Sequence, residues 1–248
     1  NKNEIIELAA NAVNPVTGEA LNLTKLDIKG LGKAKYILKE GGTLGDLYTT
    51  SNLRFNDNGY VEVDKNGNLL MTDEGEDIYL GSVFPNHNLA WRNDFSYKGI
   101  NLGVLFTARL GGVCYSATQA NLDLYGVSEA SAAARDAGGV LINGREMVDA
   151  QKWYQAIGSQ SGLPQYYLYS ATNVRLQELS LGYTFPRKWF RNKLGLTVSF
   201  VGRNLWMIYC KAPFDPEAVA STGLNYQGID YFMMPSMRNL GFNVQFHF

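Results

Sequence analysis

Asn239-Leu-Gly-Phe-Asn-Val-Gln-Phe-His-Phe248 alternates without a break. Leu240, Phe242, Val244, Phe246 and Phe248 fall on one face of a strand, and Asn239, Gly241, Asn243, Gln245 and His247 on the other. A wall strand of a transmembrane barrel would turn the apolar row to lipid and the polar row to a wet lumen. A terminal strand of a soluble β-sandwich would also alternate, although left uncovered it invites aggregation. One strand does not choose between them, so the other strands must.

They follow the same rule. Leu89, Trp91, Phe95 and Tyr97 share a face against Ala90, Arg92, Asp94 and Ser96, with Asn93 the exception on the apolar side. After Lys98-Gly99, Ile100, Leu102, Val104, Phe106, Ala108 and Leu110 alternate against Asn101, Gly103, Leu105, Thr107 and Arg109, which predicts a tight hairpin. A second pair sets Leu179, Leu181, Tyr183 and Phe185 against Glu178, Ser180, Gly182 and Thr184, then Leu196, Val198 and Phe200 against Thr197, Ser199 and Arg203. The connection from Pro186 to Lys193 puts cations beside aromatics, as at a headgroup zone; a solvated basic turn would look the same.

The connections alternate short and long: Lys98-Gly99, then Gly111 to Asn173, then the turn after Phe185, then Met207 to Met237. Outer-membrane barrels have short periplasmic turns and long extracellular loops, whereas a sandwich has no reason to gather every long loop at one end. A periplasmic C-terminus would place both long stretches outside the cell. The same parity sets Cys114 and Cys210 two strand steps apart, roughly 10 Å, which predicts two isolated thiols. The first third is less regular. Lys33 to Lys39 and Leu44 to Thr50 read as strands, Asn58-Gly59 and Asn66-Gly67 as turns of a small hairpin, and Ser128 to Ala137 before Gly138-Gly139 as a short capped helix.

Composition narrows the function classes. The chain has 248 residues, 46% hydrophobic and 18% charged, with net charge -1, which gives no electrostatic case for nucleic acid. Fifteen Tyr, 12 Phe and 4 Trp suit aromatic girdles, though soluble β-proteins share the enrichment. No apolar run reaches the roughly 18 residues of a membrane helix. The start at Asn1-Lys-Asn-Glu shows no signal peptide, so a mature product or a fragment is expected.

Catalysis finds little material. His87, read as a loop residue, and His247 are the only histidines, and Gly158-Ser-Gln-Ser-Gly162 carries Gln160 where a nucleophile elbow needs Ser. Asp64-Lys-Asn-Gly-Asn68 opens like a calcium loop but has Leu69 and Gly75 where Gly and Glu are required. The cluster Asp73, Glu74, Glu76 and Asp77 reads as a solvated turn more readily than as a cation site. No enzyme activity, metal or cofactor is expected. The binding candidates are loop residues Trp153, Tyr154, Tyr166, Tyr167, Tyr226 and Tyr231, with Asp215, Asp230 and Arg145 nearby in sequence, because flat rings stack on sugars and carboxylates bond hydroxyls. Packing within folded loops explains each of them equally well.

Several segments together resemble one family. Leu80-Gly-Ser-Val-Phe-Pro85, Asn93-Asp-Phe-Ser-Tyr-Lys-Gly99, Leu105-Phe-Thr-Ala-Arg-Leu-Gly-Gly112, Val174-Arg-Leu-Gln-Glu-Leu-Ser-Leu-Gly-Tyr183, Gly202-Arg-Asn-Leu205, Phe214-Asp-Pro-Glu217 and the terminal strand resemble, in order and spacing, the C-terminal barrel portion of SusC/RagA-type TonB-dependent outer-membrane transporters. The resemblance implies an all-β fold: about seven or eight antiparallel strands of a parent 22-stranded transmembrane β-barrel, with long extracellular loops. Residues 1–248 are then the C-terminal part of that barrel, with the plug and TonB-binding segment lying in the missing N-terminal part. It implies a Gram-negative outer-membrane location, lipid around the wall, a SusD-like lipoprotein, TonB, and an imported oligosaccharide or peptide. The row Leu240, Phe242, Val244, Phe246 and Phe248 would be the signal read by the barrel-assembly machinery. The competing reading is an autonomous small barrel or β-sandwich acting as an adhesin or binding module without energy coupling.

Overall fold

The computed structural model describes residues 3–9, 12–21, 23–72, 75–223 and 226–247. In chain order the strands and helices are β1 (Lys25–Leu31), β2 (Ala34–Lys39), β3 (Asp46–Thr49), β4 (Ile78–Ser82), β5 (His87–Tyr97), β6 (Ile100–Leu110), β7 (Val113–Ser116), α1 (Ala117–Leu124), α2 (Glu129–Asp136), β8 (Val140–Ile142), β9 (Glu146–Val148), α3 (Ala150–Gly158), β10 (Leu168–Ser170), β11 (Asn173–Phe185), β12 (Gly195–Cys210), β13 (Ile229–Asp230) and β14 (Asn239–His247). Among the described residues they form a five-stranded antiparallel meander, β5-β6-β11-β12-β14, and a set of short sheets and helices gathered at one end of it.

The meander grows from the period-two pattern. Lys98 and Gly99 both hold positive φ, 48° and 88°, which is the twist a two-residue hairpin between right-twisted strands demands. The register then aligns apolar residues row by row across all five strands. Tyr97, Ile100, Tyr183, Val198 and Val244 form one row, and Phe95, Leu102, Leu181, Phe200 and Phe242 the next. The opposite face carries Ser96, Asn101, Gly182, Ser199 and Asn243, and beyond them Arg92, Leu105, Glu178, Arg203 and Asn239.

In β11 the apolar period changes phase: Val174 and Leu176 are even-numbered, Leu179, Leu181 and Tyr183 odd. A strand can do this only by inserting a residue, and the register shifts between Leu176 and Glu178. This bulge keeps Leu176 in the apolar row with Phe106 and Trp91, and sets Arg175 opposite Thr107 on the polar face. β12 is irregular at the same height, with Asn204 at φ 50°.

The packed core lies elsewhere. Ala34, Tyr36, Leu47, Leu53, Val83, Tyr115, Leu163, Tyr167 and Ile229 are among its buried members, and no residue of the five meander strands belongs to it. Its contributors come from the first third, from 111–172 and from 211–238, so all three segments fold as one assembly at the same end. Tyr36 donates to Gln227 O, Asn143 Nδ2 to Val61 O at 3.0 Å and Gln165 Nε2 to Ser51 O at 3.2 Å, each joining two of these segments. Backbone packing is tight where they meet. At Gly81, φ 129°, an added Cβ would sit 2.9 Å from Val113 Cγ1.

Much of the local reading holds. β2 and β3 form where expected. Ser128 caps α2 by accepting from Ser131 N at 3.0 Å, and Gly138-Gly139 close it through bonds to Arg135 O and Ala134 O. Asp64 Oδ1 accepts from Asn66 N and Asn68 N at 2.8 Å each, the bonding of a tight turn. Cys114 and Cys210 are both free thiols.

Other expectations change. β2 and β3 pair with β1 and β4 in a separate sheet, so five long strands share the meander where about seven or eight wall strands were expected. The two Asn-Gly turns sit in tandem, closed by the bridges Phe55↔Val61 and Val63↔Leu69 inside a wider Leu53↔Met71 pairing, where a single hairpin was expected. β12 runs on to Cys210, past Met207, because its bulges absorb extra residues. His87 opens β5 opposite Leu110 and is not in a loop. Of the acidic cluster, Asp73 and Glu74 lie outside the described residues, while Asp77 pairs with Lys25 and Lys39 at 2.7 and 2.9 Å. Burial disfavours its charge, but the two lysines outweigh that and hold its carboxyl below the usual range.

The joint at Gly81 gives a direct test. Gly81→Val forces a side chain into Val113 at a backbone angle such residues avoid, a cost of about 1–3 kcal/mol. Limited proteolysis of the full-length protein should then cut within residues 25–82 before the meander is affected; an unchanged digestion pattern would show that the first third is not docked as described.

Candidate functional site

Two polar regions follow from the strand phases. The first is the polar face of the meander. Arg203 Nε reaches Glu178 Oε2 at 2.9 Å, Arg92 Nη1 reaches Glu178 Oε1 at 3.6 Å, and Arg92 Nε reaches Asp94 at 2.8 Å. Nearer the turns, Ser96 donates to Asn101, Asn101 to Thr184, and Thr184 and Thr197 share a hydrogen bond at 3.1 Å. Most of these groups are solvent-exposed, so each pair contributes under about 1 kcal/mol; their effect is a hydrated, hydrogen-bonding strip.

The second region lies where the bulge aims Arg175. Its side chain is 3% exposed. Nε donates to Asn173 Oδ1 at 3.0 Å, Nη1 to Asp215 Oδ2 at 3.1 Å and to Ser236 Oγ at 3.0 Å, and Nη2 to Asp215 Oδ1. Asp215 is thus held by a two-pronged guanidinium, and it also accepts from Glu217 N and Ser236 N. Glu217 lies 3.4 Å from Arg175 and accepts from Asn173 Nδ2 at 3.2 Å. Asn204, at the β12 irregularity, donates to Ser236 O at 2.9 Å. One arginine therefore ties β11, β12 and both ends of the 211–238 loop. Burial alone would raise the Asp215 pKa, but the bonds from Arg175, Ser236 and Glu217 N hold it at about 2.

Beside this network opens a cavity of about 610 Å³, lined by Met207, Phe214, Met233 and Pro235 with Asp230 and Arg238. Such a space has apolar walls and a few polar anchors, the usual makeup of a ligand pocket. Among the described residues no cluster of His, Cys, Asp and Glu could hold a metal ion.

The expected binding residues divide by place. Asp215 and Asp230 reach this cavity, and Asp230 accepts from Ser116 Oγ at 2.7 Å. Trp153, Tyr154 and Tyr167 pack into or against the loop core, with Trp153 edge-on to Tyr166 at 5.9 Å. Tyr166, Tyr226 and Tyr231 are exposed, and Tyr231 meets Phe232 edge-on at 5.3 Å. The row Leu240, Phe242, Val244 and Phe246 is exposed along β14; Phe248 lies outside the described residues. Arg175, Asn204, Glu217 and Ser236 were not singled out as site residues, although Val174 to Tyr183, Gly202 to Leu205 and Phe214 to Glu217 were quoted as motifs. The signal was the phase slip in β11, which places a charged residue on the polar face near the strand end.

These features define a class: an all-β chain built on a long antiparallel meander with one apolar open face, one hydrated face, and a folded loop assembly at one end. No protein-family model matches the chain. "TonB-dependent receptor P3" of Formosa agariphila is 24% identical over 276 aligned positions, covering 99% of this chain and 26% of that protein. The RagAB peptide importer in its closed-closed state matches with a TM-score of 0.53 and 20% identity, over 92% of this chain and 25% of that one. Its open-open state matches with a TM-score of 0.57 and 19% identity, over 91% and 24%. The chain spans about a quarter of the length of the curated relative it matches. These likenesses agree with the resemblance of the motifs: the chain is similar to a segment of a TonB-dependent receptor and shares its fold with part of the RagAB importer.

The Arg175 network predicts an acid limb. The Asp215 pKa is lower folded than unfolded, so its contribution, on the order of 2 kcal/mol, is present above about pH 4 and is lost as pH falls toward about 2. Asp215→Asn should remove that limb and, by leaving Arg175 short of its main acceptor, cost about 3 kcal/mol at neutral pH. Protease sensitivity of the 211–238 loop against pH, in the full-length protein, reads both effects; an unaltered acid profile in the variant would refute the assignment.

Proposed function

We propose that the chain is part of an outer-membrane active transporter that imports oligosaccharides together with a SusD-like surface lipoprotein and is energised through TonB. Residues 1–248 supply wall strands of the barrel and an outer loop assembly, while the plug and TonB-binding segment belong to the rest of the parent protein.

The observation that carries this reading is the uncovered apolar face. Trp91, Phe95, Tyr97, Leu181, Phe200, Trp206 and the row from Leu240 to Phe246 are all exposed, and among the described residues no layer packs over them. In water such a surface would be an aggregation site; a sandwich would have covered it with a second sheet. Lipid covers it without further protein. Strand length agrees: the 11 residues of β5 or β6 extend about 36 Å, and a tilt of about 40° brings this to roughly 28 Å, close to the apolar band of a barrel. Tyr183, Phe185 and Trp189 cluster by the Pro186–Lys193 turn, with ring centroids 4.9 and 5.8 Å apart in succession, as an interfacial girdle would.

On this reading the loop assembly is extracellular, the two turns and the C-terminus are periplasmic, and the free edges of β5 and β14 pair with the remaining strands of a 22-stranded barrel. The row from Leu240 to Phe246, continued by Phe248, serves the barrel-assembly machinery. Exposed Tyr166, Tyr226 and Tyr231, and the cavity reached by Asp215 and Asp230, are where ligand or lipoprotein would touch. Trp153, Tyr154 and Tyr167 would then act mainly by shaping the loops. A peptide ligand is the second reading, favoured by the likeness to a peptide importer.

Topology and lipid contact are separately testable in the full-length protein. An epitope inserted at Gly138 should be detected on intact cells, and one at Arg191-Asn192 only after permeabilisation; the reverse pattern would overturn the orientation. Phe242→Arg should cost about 2–4 kcal/mol and lower the heat-modifiable folded fraction, whereas Asn243→Arg, one residue on, should be tolerated. Equal effects would sink the lipid-face assignment.

A further inference from the structure

A second cavity, of about 850 Å³, opens where the polar face of the meander meets the loop assembly. Asn88 of β5 and Arg109 of β6 are direct cross-strand partners on that face, and they line it with Thr43, Ser82, Asn86 and Gln227. Amides and hydroxyls surround one arginine there, with Phe84 and Pro85 as the apolar part of the lining. Arg109 Nη2 donates to Val83 O at 2.9 Å, while its Nε is buried with no hydrogen-bond partner. Among the described residues its guanidinium has no carboxylate partner. Glu4, the one acidic residue lining the cavity, is itself engaged in an interaction.

The contrast with the other arginines of this face is informative. Arg92, Arg175 and Arg203 are each matched to a carboxylate. Arg109 is held in place by a single neutral carbonyl. A guanidinium offers five donors in a fixed fork shaped to a carboxylate, and a buried N–H left unpaired is costly. The neighbouring Asn88 amide can complete the coordination of an oxyanion.

We infer that Arg109, with Asn88 beside it, is a carboxylate-recognising subsite of the uptake path, so that the imported oligomer is one bearing a free carboxylate. This rests on the transporter reading above and specifies its substrate class. A peptide's terminal or side-chain carboxylate and a uronate of an acidic glycan offer the same chemistry.

The test uses the full-length transporter, extracted from outer membranes in mild detergent and immobilised with whatever co-purifies. Two pools are passed over it, and the retained species are read by mass spectrometry. One is a mixed oligopeptide pool in free-acid and C-amidated forms; the other is a mixture of uronate and neutral oligosaccharides. Carboxylate-bearing members should be enriched from one pool, which identifies the source. Arg109→Gln should cut that enrichment about tenfold, the scale of losing a charge-assisted pair, and leave retention of neutral members within about twofold. Arg109→Lys should retain part of it. Asn88→Asp, which sets a competing carboxylate at an exposed position beside an intact Arg109, should reduce it as well. No preference for carboxylate forms in the wild type, or the same preference in Arg109→Gln, overturns the inference. If neutral members are still retained by a protein resident in the outer membrane, only this subsite falls; if the protein is not in that membrane, the transporter reading falls with it.

Discussion

Phase is the constraint that everything else here depends on. A β-strand shows alternate residues to alternate faces, and a slip of one residue exchanges the faces wholesale. Five strands of this chain hold a common phase, so Tyr97, Ile100, Tyr183, Val198 and Val244 make one continuous apolar row while Ser96, Asn101, Ser199 and Asn243 make a polar one. Where the phase has to change, at Gln177 in β11, the strand inserts one residue. That insertion turns Arg175 from the apolar face to the polar face, where it meets Asp215 and closes the loop network. A backbone irregularity therefore links the sheet to the loops above it.

The division of labour is physical. Among the described residues the meander contributes nothing to the hydrophobic core, and its apolar rows stand exposed. The loop assembly has a core, built by residues as distant in sequence as Tyr36, Leu163 and Ile229. Buried Cys114, its thiol pushed up to about 12 by burial and by nearby Asp230, packs within this assembly as a neutral thiol.

Legibility in the sequence follows the same division. The meander was readable because alternation is local: Leu179 to Phe185 and Leu196 to Phe200 show their faces without knowledge of their partners. Turn chemistry was local too, at Lys98-Gly99 and at Ser128 with Gly138-Gly139. The loop core was not readable, because β2 and β3 look like any short strands, and only long-range packing joins them to α1, α3 and β13. The Arg175 network lay between. Its motifs stood out, yet Arg175 and Asp215 are 40 residues apart, and only the register brings them together. The aromatic candidates show the limit of residue type as a guide. Tyr154 and Tyr167 have the same chemistry as Tyr226 and Tyr231, but the first two pack in the loop assembly and the others face out.

The central claim, that the apolar rows of the meander face lipid while the polar rows face a wet interior, is tested most directly by spin labels placed singly at positions 196 to 201 of β12 in the full-length protein reconstituted into bilayers. Accessibility to dissolved oxygen should peak at Leu196, Val198 and Phe200. Accessibility to a polar nickel reagent should peak at Thr197 and Ser199, with a period of two residues. Uniformly low accessibility to both reagents would mean that protein covers the apolar face, and an inverted phase would put the polar rows against lipid; either result contradicts the account.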